Sequence, residues 1–536
     1  MRTEETGPTA ASRGTLTWLF AAVALAAAVE IALAARSPVI ARDGATFIAI
    51  ARQLARSPVE AIRGADQHPG YPALIVAARR VIGLFGPADD LRAWTLAARL
   101  PAMLFGLLNV LMLWCWVRRA FDGRAAGVAA VFFAILPIFS ENAADTVSDA
   151  PHLFFYLLSA WLITEGIVRR RFRLFPLAGV SSGLAYWIRP EGLEPVLVGA
   201  GVIVLLAVRR HEKPLPALAW LAGLLVAAGI VAAPYACLKG KLTSKKDFLV
   251  IVRSESAESE VRGGAGLPPA TPPSLAAAQP APVHAVVQPI PRPGLLVALA
   301  KAVGTLADEY AHALRYFLLF PLAAGIFCAG APKAQPRPKL FLAALAGFNI
   351  LLLILLYLVA GYIAGRHAMP LLCVSLAWVG GGTIWLGEEL SGRLASSRSA
   401  AAARLSPGLI VGVLVAAPVL ALLPRSLRPL HEGYLPVVQA ARWIGDHAQP
   451  GDEILTNTVY GTFYSRLPGR VLGVYETIPD SFKQDRFWPY RFVLLDRTAS
   501  SFQRVQMAEL LKSHEPLKIA GLPEDNPIVL ESRPRR

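Results

Sequence analysis

The chain has 536 residues, of which 55% are hydrophobic and only 17% are charged. Soluble globular domains usually carry about 25% charged residues, so the composition excludes an ordinary soluble protein and indicates a polytopic membrane protein. The net charge of +16 raises the alternative of a nucleic-acid-binding protein. Many of the basic residues, however, fall in short loops between apolar segments, which positive-inside topology explains. No nucleic-acid partner is therefore predicted.

The four cysteines are spread along the chain, each in or next to a different apolar segment. They contain no CxxC pair and no spacing typical of a zinc site. The sequence therefore predicts neither a disulfide framework nor a cysteine metal site. The residues are Cys115, Cys237, Cys328 and Cys373.

Apolar segments of membrane-spanning length fill most of the first 425 residues. A spanning helix needs about 17–25 mostly apolar residues, and eleven segments meet or approach that length. Several are near the lower limit, so merging or splitting of a pair is an alternative. The predicted spans are 15–36, 96–117, 124–140, 150–168, 174–188, 193–208, 217–236, 313–331, 339–360, 367–387 and 406–424.

Lysine and arginine alternate between successive short loops. The loop 140–150 contains neither, whereas its neighbours around 118–124 and 169–173 each contain several arginines. Basic short loops stay in the cytoplasm, which predicts a cytoplasmic N-terminus and an outer C-terminus. The loops predicted on the outer face are 42–72, 140–150, 189–192 and 361–367.

The composition changes near residue 431. A transmembrane domain over 1–430 is predicted to precede a small extracytoplasmic α/β domain over 431–536. Within the first domain, 254–294 is rich in proline, alanine and glycine and is predicted to be a disordered outer loop. The elements predicted after 431 are helices at 435–447 and 503–513 and strands at 453–456, 471–475, 492–496 and 528–531.

The stretch 41–72 follows the first predicted span and begins with a carboxylate, Asp43. Phe47 and Ala51 belong to an apolar pattern with helical spacing, which predicts an amphipathic helix in the membrane surface. A second interfacial helix is predicted over 71–85. A carboxylate at the bilayer surface suits chemistry on a lipid-linked substrate. The alternative is that Asp43 only caps the N-terminus of the following helix.

Two further loops add charged candidates to the same face. The loop 140–151 contains Glu141, Asp145 and Asp149, although Ser148-Asp149 before Pro151 is also an ordinary helix start. Arg189 and Arg366 lie in short outer loops, against the positive-inside trend. Their planar guanidinium groups can hold a phosphate through two hydrogen bonds; the alternative is that they are interfacial anchors.

The order of these motifs resembles the GT-C type membrane glycosyltransferases, in the bacterial branch related to protein O-mannosyltransferases and lipid A aminoarabinose transferases. Family members with an acidic pair usually have Asp-Glu where this chain has Asp43-Gly44, so the second acid of that pair is missing. The resemblance covers roughly 15–425. Its motifs are Arg42-Asp43-Gly44, His68-Pro69-Gly70-Tyr71-Pro72, Ala98-Arg99-Leu100-Pro101, Ser148-Asp149, Arg189-Pro190-Glu191-Gly192 and Gly365-Arg366 with Met369-Pro370.

This resemblance implies an all-α polytopic GT-C fold and a hexosyl- or pentosyltransferase in the cell envelope, in a bacterial inner membrane. The enzyme would move a sugar from a polyprenyl-phosphate donor to a hydroxyl of a lipid, glycan or protein. Asp43 would be the general base. Asp149 would orient the acceptor or share a divalent cation, Mg or Mn, with Asp43. The donor phosphate would contact Arg189 and Arg366, and the candidate substrate-binding residues are His68, Tyr71, Glu191 and Asp145.

Two other classes remain as alternatives. A transporter or flippase of lipid-linked glycans would also carry membrane-facing arginines, but it would be expected to place acids at mid-membrane depth. A membrane scaffold that displays the C-terminal domain would not need acids that meet beside a phosphate-sized pocket.

Overall fold

The computed structural model describes residues 10–84, 91–243, 294–328, 336–396, 406–472, 490–496, 507, 511, 515–523 and 526–531. The predicted loop 254–294 lies outside them except for its last residue, and the predicted helix 503–513 lies outside them except for two residues.

Helices build the chain up to the C-terminal domain. They are α1 (Ala10–Arg36), α2 (Arg42–Arg56), α3 (Pro58–Gly64), α4 (Gly70–Gly83), α5 (Leu91–Ala120), α6 (Gly123–Ile135), α7 (Pro137–Ala144), α8 (Asp149–Arg169), α9 (Leu174–Ile188), α10 (Glu194–Val208), α11 (Pro214–Lys239), α12 (Leu295–Ala313), α13 (Leu319–Phe327), α14 (Pro336–Ala360), α15 (Met369–Ala395) and α16 (Pro407–Ser426). Short 3-10 turns at Pro190–Leu193 and Gly365–Ala368 precede α10 and α15.

Eight helices of the described chain are long and apolar enough to cross a membrane, and α6 with α7 makes a ninth if that pair, bent by 59°, is one span. Predicted spans 15–36, 96–117, 150–168, 193–208, 217–236, 339–360, 367–387 and 406–424 fall on the eight. The polytopic all-α fold class is therefore confirmed. Within the described residues, this criterion of length and composition accounts for eight or nine of the eleven predicted spans.

The two remaining predicted spans fail this criterion for different reasons. Helix α9 has 15 residues, about 22 Å, against a hydrocarbon core of about 30 Å. Its ends nevertheless lie beside opposite ends of α8, since Arg189 contacts Asp149 at one end and Gly166 contacts Phe175 at the other.

The predicted span 313–331 is divided. Helix α12 ends at Ala313, and the next turn has Arg315 and Tyr316 in the left-handed region, with φ of 56° and 59°. Two successive residues in that conformation cannot continue a right-handed helix. Helix α13 then has only nine residues.

The charged loops separate to the two ends of the bundle, as their composition predicts. One end holds arginines paired with acids of neighbouring helices and loops, including Arg119 with Glu165 (3.2 Å) and Arg337 with Glu212 (2.8 Å). The other end holds Asp43, Asp149 and the C-terminal domain. We call this second end the acidic end.

At the acidic end, the two helices predicted as interfacial, α2 and α4, lie against the bundle. Helix α2 buries Phe47, Ile48 and Ala51 on one side, which includes part of the predicted apolar stripe. Helix α4 buries Tyr71 and Ile75.

The C-terminal domain contains α17 (Leu435–His447), α18 (Val459–Ser465) and the strands β1 (Ile454–Thr456), β2 (Gly469–Val471), β3 (Phe492–Leu495) and β4 (Ile528–Glu531). The sheet has the order β2-β1-β3-β4, with parallel pairs β1–β2 and β1–β3 and an antiparallel pair β3–β4. The small α/β fold is confirmed. Strand β2 begins two residues before its predicted start.

One hydrophobic core joins this domain to the bundle. Phe47 of α2 and Trp94 of α5 belong to the same buried cluster as Ile444 of α17 and Tyr460 of α18. Tyr460 Oη donates to the Ile40 carbonyl at 3.0 Å, and the Ile40 amide donates to a second tyrosine hydroxyl at 3.2 Å. The domain is thus fixed to the segment that leads into Asp43.

Candidate active site

Asp43 lies in the first turn of α2, but it does not cap that helix. The N-cap residue is Ala41, and no side chain accepts a capping hydrogen bond there. The capping alternative is therefore wrong. The Asp43 Oδ2 atom instead accepts from Arg366 Nη1 at 2.6 Å, in a pair whose two side chains are 39% and 41% exposed.

Gly44 explains the missing second acid of the motif. A Cβ at position 44 would stand 1.7 Å from Thr146 Oγ1 and 2.9 Å from the Thr146 carbonyl oxygen. Heavy atoms cannot approach so closely, so no side chain fits here without movement of the loop that carries Asp145. This packing leaves Asp43 as the single carboxylate of the motif.

Asp149 and Arg189 form a second pair, which is buried. Arg189 Nη2 donates to Asp149 Oδ2 at 2.7 Å and Arg189 Nε donates to Ser148 Oγ at 3.0 Å. The Asp149 and Arg189 side chains are only 2% and 13% exposed. Asp149 is also the first residue of α8, so the helix-start interpretation is correct, and the side chain in addition pairs with Arg189.

Asp145 joins three parts of the chain. Its Oδ1 accepts from the amides of Ala41 (3.0 Å) and Thr146 (2.7 Å), and its Oδ2 contacts His431 Nε2 at 2.6 Å. Burial acts to raise the pKa of Asp145, but His431 and the two amides together hold the pKa below its usual value. Because Ala41 directly precedes the first turn of α2, Asp145 positions Asp43.

Both arginines line one elongated cavity of about 320 Å³ between α8, α10, α14 and α15. The polar end of the cavity has Asp149, Arg189, Glu191, Arg366 and His367. Apart from His152, Glu194 and Asn349, the remaining lining is apolar and includes Leu197 of α10 and a row of α14 side chains. These are Phe348, Leu352, Leu353, Leu355, Leu356 and Val359.

A buried polar group in the cavity wall was not predicted. Tyr156 Oη donates to Glu194 Oε2 at 3.1 Å, and Asn349 Nδ2 donates to Tyr156 Oη at 3.0 Å. Glu194 and Asn349 also line the cavity. The available signal was an acid and an amide inside or beside apolar segments, which is uncommon in membrane helices.

His68 and Tyr71 lie elsewhere and are buried in packing. His68 Nδ1 donates to the Tyr186 carbonyl at 2.7 Å, and its ring contacts Tyr235. Tyr71 Oη donates to the Ala98 carbonyl at 2.8 Å. Of the predicted site residues, Asp149, Arg189, Glu191 and Arg366 line the cavity. His68, Tyr71 and Asp145 do not, and Asp43 adjoins the cavity only through Arg366.

In the described part of the chain, no three His, Cys, Asp or Glu side chains lie close enough together to bind a metal ion. Asp43 and Asp149 already bind guanidinium groups, and position 44 cannot supply another carboxylate. The residues present therefore do not fit a preformed metal site at this end.

Residues 92–234 match the family model described as dolichyl-phosphate-mannose-protein mannosyltransferase. No curated protein matches the chain. Among solved structures, ArnT from Cupriavidus metallidurans in the apo state is similar with a TM-score of 0.60 at 15% identity, covering 98% of this chain and 99% of that one.

The undecaprenyl phosphate complex of that ArnT gives a TM-score of 0.58 at 16% identity, over 97% and 98% of the two chains. The oligosaccharyltransferase AglB from Archaeoglobus fulgidus, in complex with an inhibitory peptide and a dolichol-phosphate, gives 0.56 at 13% identity, over 90% and 69%. The resemblance drawn from the motifs is confirmed: the chain has the fold of GT-C type membrane glycosyltransferases, and its 92–234 segment matches a mannosyltransferase family.

Proposed function

We propose that the chain is a membrane glycosyltransferase that moves a sugar from a polyprenyl-phosphate donor to a hydroxyl acceptor on the outer face of the membrane. The carrying observation is the cavity whose apolar length ends at Arg189 and Arg366, each bonded to one of the two candidate acids. An isoprenoid chain suits the leucine-lined part, and a phosphate suits the two guanidinium groups. The matches to a mannosyltransferase family and to an undecaprenyl phosphate complex support this donor class.

In the proposed reaction, the acceptor oxygen forms a bond to the anomeric carbon while the bond from that carbon to the phosphate oxygen breaks. Asp43 takes the acceptor proton as general base. The polyprenyl phosphate leaves with the bonding electrons, and its charge is stabilised by Arg189 and Arg366.

The two arginines have different parts in this scheme. Arg366 binds Asp43 through Nη1 in a half-exposed pair, which exchanges partners readily because exposed pairs contribute little energy. A donor phosphate would compete for that guanidinium and leave Asp43 free to accept a proton. Arg189 is held by Asp149 and Ser148, so it presents its remaining N–H groups in a fixed direction.

The finer assignments belong to the same proposal. They are a hexosyl or pentosyl donor, a lipid, glycan or protein acceptor, a bacterial inner membrane and an extracytoplasmic C-terminal domain. They rest on the motif resemblance and on the alternating basic loops. A reporter fused after Arg536 should be active only outside the cytoplasm, and cytoplasmic activity would contradict the orientation.

The function is tested with the purified full chain and a polyprenyl-phosphate-linked sugar. Free polyprenyl phosphate should appear together with a glycosylated acceptor. The acceptor is found by mass spectrometry of lipids, glycans and proteins from cells with and without the chain. Movement of intact donor across vesicle membranes without sugar transfer would instead support the flippase alternative.

A further inference from the structure

A second cleft, lined by arginines, lies between α1, α5 and the C-terminal domain. It is at the same end of the bundle as Asp43 and Asp149, the acidic end. It consists of two adjoining cavities of about 340 and 330 Å³, both lined by Leu91, Arg92, Arg442 and Tyr464. Neither cavity shares a lining residue with the donor cavity between α8, α10, α14 and α15. We propose that this cleft binds the phosphate headgroup of an anionic membrane lipid.

The charges that line the cleft favour an anion. Arg92 and Arg99 come from α5, and Arg442 and Arg466 come from the C-terminal domain, with Asp446 as the one acid among the lining residues. The Arg442 guanidinium lies over the Tyr464 ring at 5.2 Å and makes no ion pair with any described residue. Its planar fork can therefore bind a phosphate.

The cleft opens at the level where α1 leaves the apolar part of the bundle. Arg99 donates to the carbonyls of Ala34 (2.8 Å) and Ser37 (2.7 Å), beyond which the chain turns toward α2. Ala34, Ala35 and Leu96 line the cavity of about 330 Å³, which we call the lower cavity. Leu96 is exposed on the outside of the bundle. An apolar lower wall beneath arginines matches a lipid, whose acyl chains lie under a charged phosphate, better than it matches a soluble anion.

The walls of the cleft are fixed by packing. Gly445 lets α17 approach α18, because a Cβ there would stand 2.5 Å from the Ser465 carbonyl oxygen. Tyr464 is also bonded to the Ile40 amide at 3.2 Å. The arginines of the C-terminal domain are therefore held over α5 before any ligand arrives. A bound headgroup would add a lipid-mediated contact between the domain and the bundle.

The test measures lipid binding to the detergent-solubilised full chain by native mass spectrometry, with phosphatidylglycerol and phosphatidylcholine of the same acyl chains. Phosphatidylglycerol should bind about tenfold more tightly, and Arg442→Gln with Arg466→Gln should remove about that factor, as expected for lost charge-assisted hydrogen bonds. The Lys versions should restore part of the preference. Arg470→Gln removes one positive charge from an exposed strand of the same domain outside the cleft and should leave the preference unchanged.

Three outcomes of the lipid-binding comparison would overturn the proposal. They are equal binding of both lipids to the unmodified chain, an unchanged preference in the double Gln variant, and an equal loss in Arg470→Gln. Glycerol 1-phosphate serves as the soluble competitor. If it displaced the lipid at the concentration of the lipid itself, the cleft would be a site for a soluble anion. Circular dichroism and limited proteolysis of each variant check that the domain remains folded and docked. Sugar transfer is not measured, so failure here leaves the proposed function intact.

Discussion

Two acid–arginine pairs meet at the cavity between α8, α10, α14 and α15. They differ in burial, although the sequence presents them alike. Arg189, Arg366 and Asp149 line the cavity, and Asp43 adjoins it through Arg366. Asp149 and Arg189 are 2% and 13% exposed, whereas Asp43 and Arg366 are 39% and 41% exposed. A buried pair cannot lose one member without leaving an uncompensated charge. Breaking an exposed pair costs little free energy, because water solvates both charges.

In the proposed reaction, this difference gives each pair a separate role. The Asp149–Arg189 pair joins the start of α8 to the end of α9 and holds one guanidinium in place. The Asp43–Arg366 pair joins α2 to the turn before α15 and can open when a phosphate arrives. Asp43 is therefore the better candidate for the general base, and Asp149 is the better candidate for a structural role.

The largest expected effect is that of Asp43→Asn on turnover. The amide keeps the size of the side chain but cannot take the acceptor proton, so kcat should fall by about 10²–10⁴-fold. Stability should change little, because the pair that is lost is half exposed. The assay is sugar release from a polyprenyl-phosphate donor by the purified chain.

Asp122→Asn is the matched control for that variant. Asp122 caps α6 by accepting from the Ala125 amide at 2.8 Å, and asparagine caps as well as aspartate. Turnover should be unchanged in the control. An Asp43→Asn chain with wild-type turnover would remove Asp43 from the mechanism and leave Asp149 as the next candidate.

Arg189→Ala should damage folding rather than catalysis alone. It leaves the Asp149 carboxylate buried without its guanidinium, which costs about 3–5 kcal/mol. Thermal unfolding in detergent, followed by circular dichroism, should show a clear drop in Tm, with partial recovery in Arg189→Lys. A Tm equal to that of the unmodified chain would contradict the contrast between the pairs.

Arg366→Ala should weaken donor binding and leave stability nearly unchanged, in contrast to Arg189→Ala. Loss of a half-exposed pair changes stability by about 0–1 kcal/mol, while loss of a charged phosphate contact should weaken donor binding by about tenfold. The measurement is the KM for the polyprenyl-phosphate donor beside the Tm. Arg366→Lys should restore only part of the KM, because lysine keeps the charge and loses the fork. An unchanged KM would make Arg366 an interfacial anchor.

The smallest effect concerns the third acid, Asp145, which is held by His431 and two amides rather than by arginine. Its folded pKa is lowered, so its contribution to stability is complete above the unfolded value of about 3.9. That contribution is lost as the pH falls through the lower folded pKa. Proteolytic release of the C-terminal domain should therefore increase over that acidic range.

Asp145→Asn is the comparison variant for this pH dependence. It should release the domain more readily at neutral pH and should lack the acid-dependent step. The same acid-dependent step in both proteins would show that another carboxylate controls docking.

The sequence alone predicted much of this molecule. Apolar length located eight of the spans, because a helix must satisfy its own backbone in lipid, and charge alternation separated the loops of the two ends. Helix α17 was predicted with both of its boundaries, since its amphipathic period is regular. Asp149, Glu191, Arg189 and Arg366, which line the cavity, were also named from their places beside the spans.

The contacts between residues that are distant in the sequence were decided only by the tertiary structure. It paired Asp43 with Arg366 across 323 positions of sequence and placed Asp145 against His431, in a contact that no local spacing signals. It put Tyr156, Glu194 and Asn349 together from three helices, and it turned His68 and Tyr71 from candidate substrate contacts into packing residues. Spacing specifies which side chains share a helix face, but only the packing of distant helices specifies which charges meet and how far water reaches them.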